Sequence, residues 1–322
     1  MRNLTRKIMQ AEFSHVGIFI PRRFSHENNL GLGTDLTEHQ KKVMSRGLPK
    51  KQKLRGVQNV VLVASGKGGV GKSTTAVNLA ISLKQQLGHE GIGLLDMDIF
   101  GPSLPIMMNL HNIKPALNKD NHMLPLVNYG VHCMSVGLMV PADAAVVWRG
   151  PMVMSAVQQL LLRTAWPPLH TLLLDLPPGT GDVALSVAQL VHVAGAVLVS
   201  TPQDVALADV RRGAQMMHKV GVKVLGVVQN MSLHRCSACG HTEHIFGSGG
   251  AARVAQELGV PVLGDVPIAL SIREAGDTGL PVAVARPRGP EAECYRTITS
   301  NLLKRLDESS MPPQPPVPSD GC

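Results

Sequence analysis

Residues 66–73 read Gly66, Lys67, Gly68, Gly69, Val70, Gly71, Lys72 and Ser73. They fit the pattern G-x-x-x-x-G-K-[ST], directly after an apolar run and at the start of a helical pattern. Glycines in such a loop let backbone N–H groups turn inward around phosphate oxygens. The following helix adds unpaired amides and the positive end of its dipole. Lys72 would bridge the β- and γ-phosphates of a nucleotide, the Ser73 hydroxyl would ligate Mg²⁺, and Thr74 would support the α-phosphate. Asp175 closes the run Leu172, Leu173, Leu174. An acid in that place holds Mg²⁺, usually through water. Pro177, Pro178 and Gly179 then form a rigid turn that could offer the Gly179 N–H to the γ-phosphate. Asp96 ends another apolar run and Asp98 follows two residues later. A turn there could bring both carboxylates towards the γ-phosphate, or could simply be capped by one of them. Asn230 follows a further apolar run, and its amide offers a donor and an acceptor that match an adenine edge. A turn-forming Asn is the competing reading.

A second chemistry follows at once. Cys236 and Cys239 are spaced C-x-x-C, with Gly240 and His241 after them. A redox pair of the thioredoxin type needs its cysteines at a helix start, and these stand in a loop. Zinc needs four ligands; His241 and His244 are near, but one residue between Cys239 and His241 is too short for the usual zinc loop. An Fe–S cluster needs four thiolates, and one chain offers two in one place. A symmetric dimer would supply four. Cys133, Cys294 and Cys322 have no partner in spacing and read as incidental thiols. Five cysteines in 322 residues do not make a disulfide framework.

These groups need elements to hold them. Residues 59–65, 92–96, 171–175, 196–200 and 224–229 are short apolar runs, with helical patterns at 73–86 and 204–220. Apolar strands alternating with helices predict βαβ units and a parallel sheet, with ligands beyond the carboxyl ends of the strands. Apolar residues make up 44% of the chain but aromatics only 3%, so the core is aliphatic. That suits strands buried on both faces. The expected fold is a single α/β domain over residues 44–307 of the P-loop NTPase type. Residues 1–43 read as a mitochondrial presequence and linker, and residues 308–322 as a Pro-rich disordered tail. The net charge of +8 resides in residues 1–55, which hold 12 Lys/Arg and 4 Asp/Glu; residues 56–322 hold 19 of each. The charge balance therefore gives no reason to expect nucleic acid on the body. No apolar run has the ~18 residues of a membrane span.

Lys67 at the start of the loop makes it resemble the deviant phosphate loops of the MinD/ParA-like partition, arsenite-pump and cluster-carrier ATPases. That likeness implies that Lys67 reaches across a dimer to the partner's nucleotide. With Met44–Pro49, Val147–Gly150, Gln229–Ser232 and His244–Gly247, the chain resembles the Mrp/Nbp family of Fe–S cluster carrier ATPases, and its mitochondrial branch in particular. The resemblance covers about residues 44–307. It implies an ATPase, slow and switch-like, in which Asp98 positions the attacking water and Asp96 assists Mg²⁺. It further implies a homodimer in the mitochondrial matrix, with a bridging [4Fe–4S] cluster on Cys236 and Cys239. The cluster would be delivered to apoproteins, chiefly subunits of respiratory complex I. The dimer that Lys67 calls for is the dimer that would complete the cluster site. A partition or positioning ATPase and a zinc-stabilised nucleotide-binding regulator remain alternatives at this level.

Overall fold

The computed structural model describes residues 51–139, 150–179 and 181–310. The presequence, Met44–Pro49, the turn at Trp148 and Arg149, and the Pro-rich residues from 311 onward lie outside the described residues.

The most apolar segments form the middle of one sheet. Its strands are β1 (Val57–Ala64), β2 (Ile92–Asp96), β3 (Leu126–Asn128), β4 (Val131–Ser135), β5 (Leu169–Asp175), β6 (Gly195–Ser200), β7 (Val224–Arg235), β8 (Thr242–Glu243) and β9 (Val262–Ile268). Among the described residues the order is β3-β4-β2-β5-β1-β6-β7-β8, with β9 also paired to β7. The β3–β4 and β7–β8 pairs are antiparallel; the other pairings are parallel. Every residue of β2 and β6 is buried, as strands covered on both faces require.

The helices are α1 (Lys72–Leu87), α2 (Leu104–Met107), α3 (Gly150–Leu162), α4 (Gly181–Leu190), α5 (Asp204–Lys219), α6 (Gly250–Glu257), α7 (Leu270–Asp277), α8 (Val282–Ala285) and α9 (Pro290–Ser310). In α9 a proline opens the first turn, where its missing N–H costs no hydrogen bond. Tyr295, Ile298, Leu302 and Leu306 follow at helical spacing and are buried against the body. The helix runs to Ser310, so the expected tail boundary at residue 308 is corrected. Prolines begin only at residue 312, and it is they that bar a helix.

The central position of β1 sets the chemistry. It lies between β5 and β6, with Val63 opposite Asp175. Asp175 in turn lies opposite Asp96 of β2. The phosphate loop and both acids therefore emerge side by side at the carboxyl edge of the sheet. β7 continues past this edge. Met231 takes a left-handed φ of 57°, strained for a side chain of that kind, where the β7–β9 register shifts. Beyond it the strand carries Leu233, His234 and Arg235 out to the cysteines.

A candidate nucleotide site and a cysteine knuckle

The phosphate loop joins β1 to α1. Its carbonyls are held from outside: the Ser65 hydroxyl donates to the Lys67 carbonyl at 2.8 Å, and the Asn230 side-chain amide donates to the Val70 carbonyl at 2.9 Å. The Gly179 N–H donates to the Ser65 carbonyl at 3.2 Å. Oxygens turned outward leave the N–H side of the loop facing the cradle. Gly71 caps α1 in the left-handed region at φ 79°, with no side chain on the helix amides and no acid in the first turn. An anion could take that place. A Cβ on Gly71 would overlap the Asn230 amide, and one on Gly66 would overlap Asp209 of α5. The two ends of the motif need glycine because neighbours press against them.

Lys72 is buried. Its ammonium pairs with the Asp175 carboxylate and lies 3.3 Å from the Ser73 hydroxyl. Burial pushes the Asp175 carboxyl up, and the Lys72 ammonium and Ser73 hydroxyl pull the other way. One cationic group thus already sits between the two oxygen ligands that the sequence assigned to Mg²⁺. The donor set, a carboxylate and a hydroxyl beside a phosphate cradle, suits that hard cation.

Asp96 is wholly buried. It accepts the N–H groups of Asp98, Ser103 and Leu104 and the Ser135 hydroxyl, at 2.9 to 3.2 Å. Burial, then the charge of Asp175, lifts its pKa to about 7, against the pull of those amides. Here Asp96 serves as the clasp of the loop to α2, the capping role weighed against a metal role. Asp98 is only half-buried and accepts the Gly101 N–H at 3.3 Å. Asn230 braces the phosphate loop with the donor expected to read a base. Gly179 likewise directs its N–H at Ser65, where a γ-phosphate role had been expected. Lys67 lies at the exposed tip, 3.4 Å from the Asp209 carboxylate, which also binds Arg212 at 2.6 Å. Sequence reasoning missed Ser65, Ser135 and Asp209; no motif marks a lone Ser at a strand end or an Asp inside a helix.

The cysteines occupy the turn between β7 and β8. The Cys236 N–H donates to the His241 carbonyl at 2.8 Å, and the Gly240 N–H to the Cys236 carbonyl at 2.9 Å. Gly240 takes φ 72°, which lets the chain fold back so tightly. Hydrogen bonds from the Cys239 and Ala238 amides and the Cys239 thiol hold the Cys236 thiol below its ordinary pKa. The turn is a knuckle that presents two cysteines near the surface. Cys236 is half-buried and Cys239 exposed, and neither is in a disulfide. His244 Nδ1 lies 2.8 Å from the Ser232 carbonyl. Among the described residues no group of three or more His, Cys, Asp or Glu side chains could hold a metal ion. Cys133 is fully buried, which pushes its thiol up and makes it inert.

A family model described as ParA: NUBPL iron-transfer P-loop NTPase matches residues 56–303, well over half of the chain. The chain belongs to this family of P-loop NTPases. A mouse relative, "Iron-sulfur cluster transfer protein NUBPL", is 54% identical over 274 residues, covering 85% of this chain and 86% of its own. An Arabidopsis thaliana relative, "Iron-sulfur protein required for NADH dehydrogenase, mitochondrial", is 50% identical over 256 residues, covering 80% and 81%. Among solved structures, a nucleotide-binding protein from Archaeoglobus fulgidus in complex with ADP is similar with a TM-score of 0.63 and 32% identity. That likeness covers 75% of this chain and 93% of the other. The expected P-loop NTPase fold and the family are both borne out. No helix among the described residues is long and apolar enough to cross a membrane.

Proposed function

We propose that the chain is an ATP-dependent carrier of an Fe–S cluster, and that two copies hold one [4Fe–4S] cluster on Cys236 and Cys239 from each. The observation that carries this reading is the knuckle itself. It presents two thiols at the end of the strand that braces the phosphate loop, and among the described residues no third ligand joins them. A twofold axis supplies the missing pair. The names of the relatives from mouse and Arabidopsis support cluster cargo, and the latter supports subunits of NADH dehydrogenase, respiratory complex I, as recipients. The basic N-terminal arm and the Arabidopsis name support a mitochondrial location, which we place in the matrix.

The nucleotide site fits a switch. Phosphate entering the cradle competes with Asp175 for Lys72. Release of Asp175 from that pair leaves its carboxylate and the Ser73 hydroxyl to hold Mg²⁺, which would neutralise the phosphate charge. Thr74 supports the α-phosphate, and Asp98, on an open loop, orients water. Lys67 leaves Asp209 to reach the partner's nucleotide, and Gly179 leaves Ser65 as the γ-phosphate arrives.

Anaerobic reconstitution followed by iron, sulfide and zinc analysis tests the proposal. The expected product is a dimer with about four iron and four sulfide per two chains and broad visible absorbance. Joint replacement of Cys236 and Cys239 by Ala should abolish it. A zinc-loaded chain that takes no iron would overturn the carrier reading.

A further inference from the structure

The pairing of β7 with β9 is interrupted between Asn230 and His234 and resumes at His234 and Ile268; residues from the ends of both strands, from α7 and from α9 line a common space. That space is a groove of about 860 Å³, within the range of sites that hold small ligands. Cys236 lines one end of it and Cys294, from the second turn of α9, also lines it. Between them Ile268 and Leu270 give an apolar floor, and Leu270 is 65% exposed. Three acids, Asp265, Glu274 and Glu291, and two cations, Arg235 and Arg286, line the groove. Arg235 precedes Cys236, whereas Asp265 and Glu291 lie close enough to Cys294 to raise its pKa together with its burial.

Resting on the carrier reading above, we infer that this groove is the acceptor site. It receives an extended, cysteine-bearing segment of the apoprotein, with a basic residue of that segment directed to Asp265 and Glu291. Two features of the molecule favour this occupant. The first is continuity: the residue that would bind the cluster also lines the groove, so a chain lying in the groove brings its thiols to the iron from the flank. The second is charge. The acceptor thiol must lose its proton to bind iron, which Arg235 beside Cys236 favours, while Asp265, Glu274 and Glu291 suit a basic residue of the segment. In each exchange one Fe–S bond to a carrier cysteine breaks and one to an acceptor cysteine forms. The proton of the acceptor thiol passes to the released carrier thiolate, and no electron is transferred. Cys294, held protonated, does not compete for iron.

The test uses the full-length protein and a reduced synthetic peptide with the spacing Cys-x-x-Cys-x-x-Cys and a fourth, distal Cys, so that every carrier thiolate has a replacement, together with one Lys and one photo-crosslinking residue. Leu270→Arg and Glu291→Lys are compared with the parent for cluster content, dimer mass, nucleotide affinity and the rate of transfer to the peptide. Both variants should load cluster, dimerise and bind nucleotide as the parent does, yet transfer at least tenfold more slowly. On both cluster-free and loaded protein, light should join the peptide to Ile268 or to neighbouring residues of β9 and α7. Unchanged transfer in both variants, or crosslinks confined to other surfaces, would overturn the acceptor site. So would loss of the dimer on Leu270→Arg, because a second copy would then own the groove. Because crosslinking does not need the cluster, a chain that bound zinc alone would refute the carrier reading while the groove was still judged separately.

Discussion

The phosphate loop and the cysteine knuckle stand at the same edge of the sheet, yet they are built in opposite ways. In the loop, charges and loop carbonyls are engaged from within one chain: Lys72 with Asp175, Asp96 with three amides, and the Val70 carbonyl with Asn230. In the knuckle, backbone bonds shape the turn, but the sulfurs face outward with no ligand partner from their own chain among the described residues. A buried charge must be compensated where it folds. An exposed thiol need not be, and can wait for a second copy. The phosphate loop is braced within its own chain; the sulfurs of the knuckle are left without ligands from the described residues of theirs.

That contrast can be broken at either end. The largest effect is expected from Lys72→Ala. Nucleotide affinity should fall by at least about 100-fold, measured by calorimetry, since Lys72 is the proposed phosphate contact and its ion pair with Asp175 shapes the cradle. The loss also leaves Asp175 buried without its cation, which costs about 3–5 kcal/mol of stability in comparable pairs, read from denaturant midpoints. Cluster loading should survive if the sites are built independently. Gly71→Ala comes next. A Cβ there displaces Asn230 and strains a left-handed residue, so affinity should drop at least about tenfold, with a lower melting temperature.

The third prediction is a pH dependence. Asp96 is held up to about 7 from an ordinary value of 3.8. Between those values the folded chain keeps a proton that the unfolded chain releases, so this group makes stability fall as pH rises through the window. Asp96→Asn should remove that slope, at some cost in absolute stability because an amide cannot accept all four bonds. Urea midpoints at pH 4.5 and 7 would show it; an undiminished slope would mean that another group titrates there. The knuckle should differ in reactivity: in the native chain at neutral pH, iodoacetamide should modify Cys236 ahead of Cys294 and leave Cys133 untouched, as peptide mass mapping would reveal. The smallest effect belongs to Lys67→Ala. Its contact with Asp209 is half-exposed, so stability should change by less than about 1 kcal/mol. ATP turnover in the dimer should nevertheless be lost.

The sequence made the strands of the buried middle plain, because uninterrupted runs such as Leu172 to Leu174 have few other uses. It did not reveal β4 or β9. In these, short stretches such as Val131 to Ser135 lack both length and alternation, and only their neighbours make them strands. The phosphate loop was legible because its constraints are local. Its bracing was not, since Asn230, Asp209 and Gly179 reach it from distant parts of the chain, and each has an ordinary local reading. Asp96 shows the limit best. The resemblance implies help with Mg²⁺ and the strand end leaves a capping role open, but neither reveals that the amides of Asp98, Ser103 and Leu104 and the Ser135 hydroxyl converge on it. Cys294 was dismissed for want of a spaced partner, and the fold placed it in one groove with Cys236.

β7 has a consequence for signal transmission. One continuous strand begins in the sheet, touches the phosphate loop through Asn230, and ends at Arg235, directly before Cys236. At about 3.3 Å per residue, the stretch from Asn230 to Arg235 spans at most roughly 17 Å, and β9 pairs with it at both Asn230 and His234. Its single flexure lies at Met231, one residue beyond the brace. A shift of the Val70 carbonyl by a fraction of an ångström at one end would therefore act as a rotation about that joint and grow with distance along the arm. Energy released at the phosphates could in this way reach the sulfurs as movement of a lever, with no need for a relay of side chains.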